Sequence, residues 1–150
     1  MTDLEKLPII RGSGWGDVVL GATKENADRF LSYNGVIKDE YDDCYFVEYP
    51  KYSILINYNL TDKVDAIFFY NEDEDYEHMT GFPIKTKENI GWNSSPIDVR
   101  EAYGKPLEVN NGVRNNIFWQ RIVYDGVDFR FLNRRLSRIS IATEYLPYKK

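Results

Sequence analysis

Ser53-Ile54-Leu55-Ile56-Asn57-Tyr58 and Gly126-Val127-Asp128-Phe129-Arg130-Phe131 are the two stretches on which the reading of this chain turns. Each alternates with a period of two, so successive side chains point to opposite faces of a strand. Ile54, Ile56 and Tyr58 share one face, and Val127, Phe129 and Phe131 share the matching one. The same correspondence extends to their neighbours. Phe46-Val47-Glu48-Tyr49 answers to Trp119-Gln120-Arg121-Ile122, and Lys63 to Phe69 answers to Arg135 to Ile141, at offsets of 72 or 73. A fixed internal period marks a duplicated unit. Turn-forming pairs separate the runs: Pro50-Lys51, Thr61-Asp62, Asp125-Gly126 and Asn133-Arg134.

Upstream of each strand group lies a short amphipathic segment. Ser95-Pro96-Ile97-Asp98 has the order of an N-cap, a first-turn proline and an acidic third position, and Thr23 to Asn26 occupies the matching places. Ala27, Phe30 and Leu31, and likewise Val99, Ala102 and Tyr103, sit at i, i+3, i+4 and predict one buried stripe per helix. Gly104-Lys105-Pro106 stops the second helix. Helices of two or three turns need a sheet to hold them. The expected fold class is therefore α+β: two tandem helix-plus-antiparallel-strand repeats (about 16–80 and 88–142) forming one curved sheet, with short helices on one face, in a single domain spanning 1–150.

The alternation also assigns the faces. Ile54, Ile56, Tyr58, Val127, Phe129 and Phe131 are expected inward, with Ile67, Phe69, Ile139 and Ile141. The opposite face would carry Leu55, Asn57, Ala66, Phe68 and Tyr70 beside Asp128, Arg130, Arg138 and Ser140. Loops or another strand can cover such a face; left open, its aromatics and arginines are the residue types that dominate protein–protein hot spots.

Composition narrows the chemistry. The chain has 150 residues, 43% hydrophobic and 29% charged, with 12 Tyr, 8 Phe and 3 Trp. That is globular, and its aromatic richness favours strands. The net charge of −5 is split: residues 1–80 hold 7 basic and 17 acidic residues, and residues 81–150 hold 12 and 7. The densest acidic run is Glu72, Asp73, Glu74, Asp75 and Glu77, a solvated loop or a docking patch for a basic partner. The second half carries Arg114, Arg121, Arg130, Arg134, Arg135 and Arg138, with Trp119 and Tyr124. These are RNA-binding residue types, set against an acidic first half.

Catalytic and cofactor motifs fail on inspection. His78 is the single histidine and Cys44 the single cysteine, so Cys/His metal sites and internal disulfides are excluded by counting. Gly12-Ser13-Gly14-Trp15-Gly16 lacks phosphate-cradle spacing and reads as a flexible lead-in, with Trp15 a core residue. The run ending at Glu77 lacks the glycine of a calcium loop, and no two carboxylates are placed around a pocket. Asn59-Leu60-Thr61 and Asn93-Ser94-Ser95 match the glycosylation sequon but read as turn and cap. Neither a leader-like N-terminus nor a membrane-length apolar run is present, which sets the expected location as cytoplasmic.

The duplicated pattern, with Tyr103-Gly104-Lys105-Pro106 closing a helix and Tyr124-Asp125-Gly126-Val127 leading into a strand, resembles the beta-lactamase-inhibitor-protein (BLIP)-like fold. The resemblance covers about residues 16–142. It implies a non-enzymatic surface that binds another protein with its sheet. Small size and an acidic first half extend this to a bacterial immunity or inhibitor protein that neutralises a cognate toxin by direct binding. The partner expected is another protein, in the concrete version a basic toxin domain. Membrane is not expected, nucleic acid is disfavoured, and a homodimer is allowed. No cofactor is expected. The partner-binding candidates are Glu72, Asp73, Glu74, Asp75, Glu77, Leu55, Phe68, Tyr70, Arg130 and Arg138. The alternatives are a structural or adaptor domain within a homo-oligomer or larger complex, and a small enzyme, which would need a deep pocket with convergent polar groups.

Overall fold

In the computed structural model, residues 4–32, 35–72 and 81–142 are described. Three two-residue strands, β1 (Ile9–Ile10), β2 (Gly14–Trp15) and β3 (Val18–Val19), form a small antiparallel sheet. Helix α1 (Lys24–Leu31) follows, then the strands β4 (Val36–Glu40), β5 (Cys44–Tyr49), β6 (Ile54–Asn59) and β7 (Val64–Tyr70). Helix α2 (Pro96–Tyr103) precedes β8 (Glu108–Arg114), β9 (Ile117–Tyr124), β10 (Val127–Leu132) and β11 (Arg135–Ala142). The last eight strands make one antiparallel sheet in the order β4-β5-β6-β7-β11-β10-β9-β8. Two meanders thus meet back to back through β7 and β11, where Phe69 faces Ile139 and Phe68 faces Ser140.

This corrects the expected fold class. The described residues are mostly β, 48% strand and 17% helix, an eight-stranded sheet plus a three-stranded one rather than two helix-plus-strand repeats. The physical reason lies in the helices. Each has eight residues, and they bury only Ala27 and Leu31 in α1 and Val99 in α2. Ala102, expected in the buried stripe, is exposed. Most of the core is built instead by alternating strand residues. All ten side chains assigned inward from the alternation are buried in one cluster that runs under both meanders.

The Gly12–Gly16 segment is not a loose lead-in. Gly14 and Trp15 form β2, and Trp15 is fully buried with its Nε1 donating to the Leu7 carbonyl at 3.0 Å. Its ring meets Phe30, Tyr52, Phe69 and Phe82 at centroid distances of 5.7 to 6.3 Å. The small sheet is anchored to the far meander as well. The Gly12 amide donates to the Gly126 carbonyl at 2.8 Å, and a Cβ on Gly126 would stand 2.6 Å from that amide nitrogen. Gly126 also has φ +81°, so both close approach and backbone conformation demand glycine there.

Caps and turns follow their local chemistry. Thr23 and Ser95 are the N-caps, and Ser95 with Asp98 completes a reciprocal capping box. Asn133-Arg134 and Asn115-Asn116 carry positive φ at both residues, the backbone of a tight two-residue hairpin. The Asn59 side chain accepts from Thr61 and Lys63 and closes the turn before β7, as its sequon position suggested. One register expectation shifts. Tyr49 faces Ile54 across a four-residue connection, whereas Tyr124 faces Val127 across two residues. The correspondence between β5 and β9 therefore slips by two positions relative to the constant offset, keeping its parity and hence its faces.

Candidate protein-binding face

The helices and the small sheet contribute their buried residues to the inner core, and the opposite face of the large sheet is a separate construction. Its apolar cluster is made by strands alone: Leu55, Tyr70, Phe46 and Phe68, from β5, β6 and β7. The register places the rest. One row across the strands reads Glu48, Leu55, Phe68, Ser140, Asp128, Val123 and Glu108. The next reads Tyr70, Arg138, Arg130, Arg121 and Asn110. Three arginines on adjacent strands therefore lie directly opposite one another.

An aromatic ladder leads to them. Tyr41 meets Phe46 edge-on at 6.0 Å, Phe46 meets Phe68 at 6.4 Å, and the Arg138 guanidinium lies 5.5 Å from the centre of the Phe68 ring. At the outer end of this ladder the β4–β5 hairpin exposes Asp39, Glu40, Asp42 and Asp43. The face thus runs from an acidic lip, through an aromatic stripe, to an arginine row.

Its electrostatics are only partly balanced. Arg121 makes an ion pair with Asp128, whose side chain is fully buried. Glu48 is only 4% exposed and its Oε2 has no hydrogen-bond partner; the same holds for Arg138 Nε and for Ser140 Oγ, on a fully buried serine. Buried polar atoms without partners are destabilising.

The structure brings Leu55, Phe68, Tyr70, Arg130 and Arg138 together, as the alternation implied. Their roles differ. Leu55 and Tyr70 are buried and form the floor, while Phe68, Arg130 and Arg138 are half-buried and reachable. Glu72 is elsewhere: it is exposed and pairs with Arg135 at 3.3 Å. Asp73, Glu74, Asp75 and Glu77 lie outside the described residues, as does His78. Sequence reading missed Phe46, Glu48 and Arg121 as outward residues. The signal was present, since Val47, Tyr49 and Ile122 are inward and strand parity turns their neighbours outward.

A second polar cluster joins α1 to the sheet. The Tyr49 hydroxyl donates to Asp28 Oδ1 at 2.7 Å and lies 2.8 Å from the Tyr58 hydroxyl, and Lys24 donates to Asp28 Oδ2 at 2.7 Å. Tyr45 donates to Asp62 beside it. Burial pushes the Tyr49 and Tyr58 phenols well above their ordinary range, with the Asp28 charge acting in the same direction. Tyr103, on α2, is raised for the same reason, reinforced by its hydrogen bond to Glu88. Phenols shifted this way stay protonated at neutral pH, and their hydrogen bonds hold a helix on the sheet. Thr23, Lys24, Asp28, Arg29, Thr61 and Asp62 border an open cleft next to this cluster.

Among the described residues no three or more His, Cys, Asp or Glu side chains are grouped to hold a metal ion, and no helix is long and apolar enough to cross a membrane. Cys44 is a free, half-buried strand residue. No family model, no curated protein and no solved structure matches this chain.

Proposed function

We propose that this protein is a non-enzymatic protein-binding module that works through the outer face of its eight-stranded sheet, and that its specific role is that of an immunity or inhibitor protein that neutralises a cognate toxin. The observation that carries the reading is the continuous Phe46–Phe68–Arg138 stack beside unpaired buried polar atoms. Aromatic and arginine side chains on a rigid platform are the usual anchors of binding energy, because they bury large area with little rotamer freedom to lose. The toxin-neutralising form rests further on the BLIP-like resemblance and on the split charge, which steers an oppositely charged partner.

The test is capture of the neighbouring gene's product by the full chain, and protection of cells from that product's toxicity. Phe68→Ala is expected to raise the dissociation rate by roughly thirtyfold, a loss of about 2 kcal/mol, with little change in association. Charge reversal at Glu72, Asp73, Glu74 and Asp75 is expected to slow association instead. A partner bound equally well by Phe68→Ala removes the outer face from the mechanism.

A second reading has its own observation. β4 is a sheet edge whose five residues are all exposed, with Val36 at 61% and Ile37 at 53%. Open edges pair with other strands. A salt-insensitive dimer in solution, lost on Ile37→Lys, would favour the adaptor or homo-oligomer role.

A further inference from the structure

We infer that Arg138, laid across Phe68, is the socket for a carboxylate side chain of the protein partner; the inference rests on the protein-binding reading above. Arg121, Arg130 and Arg138 face one another across β9, β10 and β11, at a strand spacing of roughly 4.8 Å. Like charges directly opposite are destabilising. Asp128 relieves Arg121. Arg138 makes no ion pair or hydrogen bond with the described residues; its one contact of an electrostatic kind is the Phe68 ring, and its Nε is buried without a partner. Beside it on the same face, the fully buried Ser140 leaves its Oγ without a partner.

The ring contact sets the chemistry. The ring 5.5 Å from the guanidinium and the burial of Nε restrict the side chain before it binds, so less freedom is lost when its fork takes two carboxylate oxygens. Asp128 and Glu48 occupy the same face, and Asp39, Asp42 and Asp43 line its lip. Those charges repel an extended phosphodiester backbone, whereas one acidic side chain reaches Arg138 alone. Glu48 completes the match. It sits three strands across and two residues along from Arg138, roughly 16 Å away, with its Oε2 unpaired. A partner segment carrying an acid over Arg138 and a base over Glu48 satisfies both.

The experiment is a titration of the nitrogen-15-labelled full chain, observed at the arginine Nε–H signals, with three probes: a capped Gly-Gly-Glu-Gly-Gly peptide, its lysine counterpart and octauridylate. The Arg138 signal is expected to move saturably with the glutamate peptide and not with the lysine peptide. The response should weaken several-fold in about 0.5 M salt, where screening acts over only a few Å. Arg138→Gln should abolish it at unchanged circular dichroism, and Arg135→Gln should leave it intact. Phe68→Leu gives an independent check that keeps apolar volume but removes the ring face, and it should weaken the response. An unmoved Arg138 signal, the same peptide affinity in Arg138→Gln, or tighter binding of octauridylate at Arg138 overturns the inference. Should the socket fail while Phe68→Ala still weakens the captured partner, the protein-binding reading stands without it.

Discussion

Tyr49→Phe separates the structural role of the tyrosine–Asp28 cluster from any catalytic one. The substitution removes a single oxygen, which donates to Asp28 at 2.7 Å and lies 2.8 Å from the Tyr58 hydroxyl. Tyr49 and Tyr58 are both fully buried. A hydrogen bond to a charged group contributes roughly 1.5–3 kcal/mol. Asp28 keeps Lys24, so the middle of that range, about 2 kcal/mol at neutral pH, is the expected loss. The pH dependence is a sharper signature. The folded-state values of Tyr49 and Tyr58 are raised, so their stabilisation is fully present below the unfolded phenol value near 10 and is lost as pH rises past it. Each contributes a slope of roughly 1.4 kcal/mol per pH unit. The variant should therefore fall less steeply than the parent above pH 10, by roughly that amount. Urea unfolding followed by far-ultraviolet circular dichroism at steps from about pH 7 to pH 12 reads both quantities. Phenolate absorbance checks the titration directly. If all tyrosines ionise near pH 10 in the folded protein, or the slopes of variant and parent coincide, the cluster is not the buried latch described here.

Other substitutions test the remaining parts of the fold and face. Trp15→Ala should cost about 4 kcal/mol, because it empties a fully buried indole site shared by four other rings, whereas the half-buried Trp119 should lose about 1 kcal/mol on the same change; equal losses measured by urea unfolding would deny the small sheet its place in the core. Arg121→Met should cost about 3 kcal/mol by removing the guanidinium paired with the buried Asp128 carboxylate, and a melting temperature unchanged from the parent would refute that pairing. Glu48→Gln should stabilise the isolated chain by about 1 kcal/mol while weakening the partner complex, as expected of a buried charge held for binding; a destabilised variant would mean that the carboxylate is satisfied within the fold.

Much of the large sheet was legible in the chain, for a definite reason. A strand buried on one side imposes a period of two, and Ile54 to Tyr58 and Val127 to Phe131 carry that period with turn residues at both ends. The helix starts were equally legible, because Ser95-Pro96 and Thr23 act through bonds within a few residues. The parity of each strand also put Phe68, Arg130 and Arg138 on one surface before any pairing was known. Three things escaped. β4 and β8 are edge strands dominated by exposed residues, so no hydrophobic alternation announces them. The three-stranded sheet is built from two-residue strands, too short for any period, so although Trp15 was legible as a core residue, the strand that carries it and the rings it meets were not. The fold class was misjudged because cap signals mark where a helix begins, not how much core it covers.

Sequence alone therefore determined which residues share a face and where the helices and several turns start, since these are local consequences of backbone period and side-chain capping. The pairing of β7 with β11 was decided only by the tertiary structure. That long-range contact joins the two meanders and sets Phe68 of one against Arg138 of the other. The face on which the proposed function rests exists only because of it.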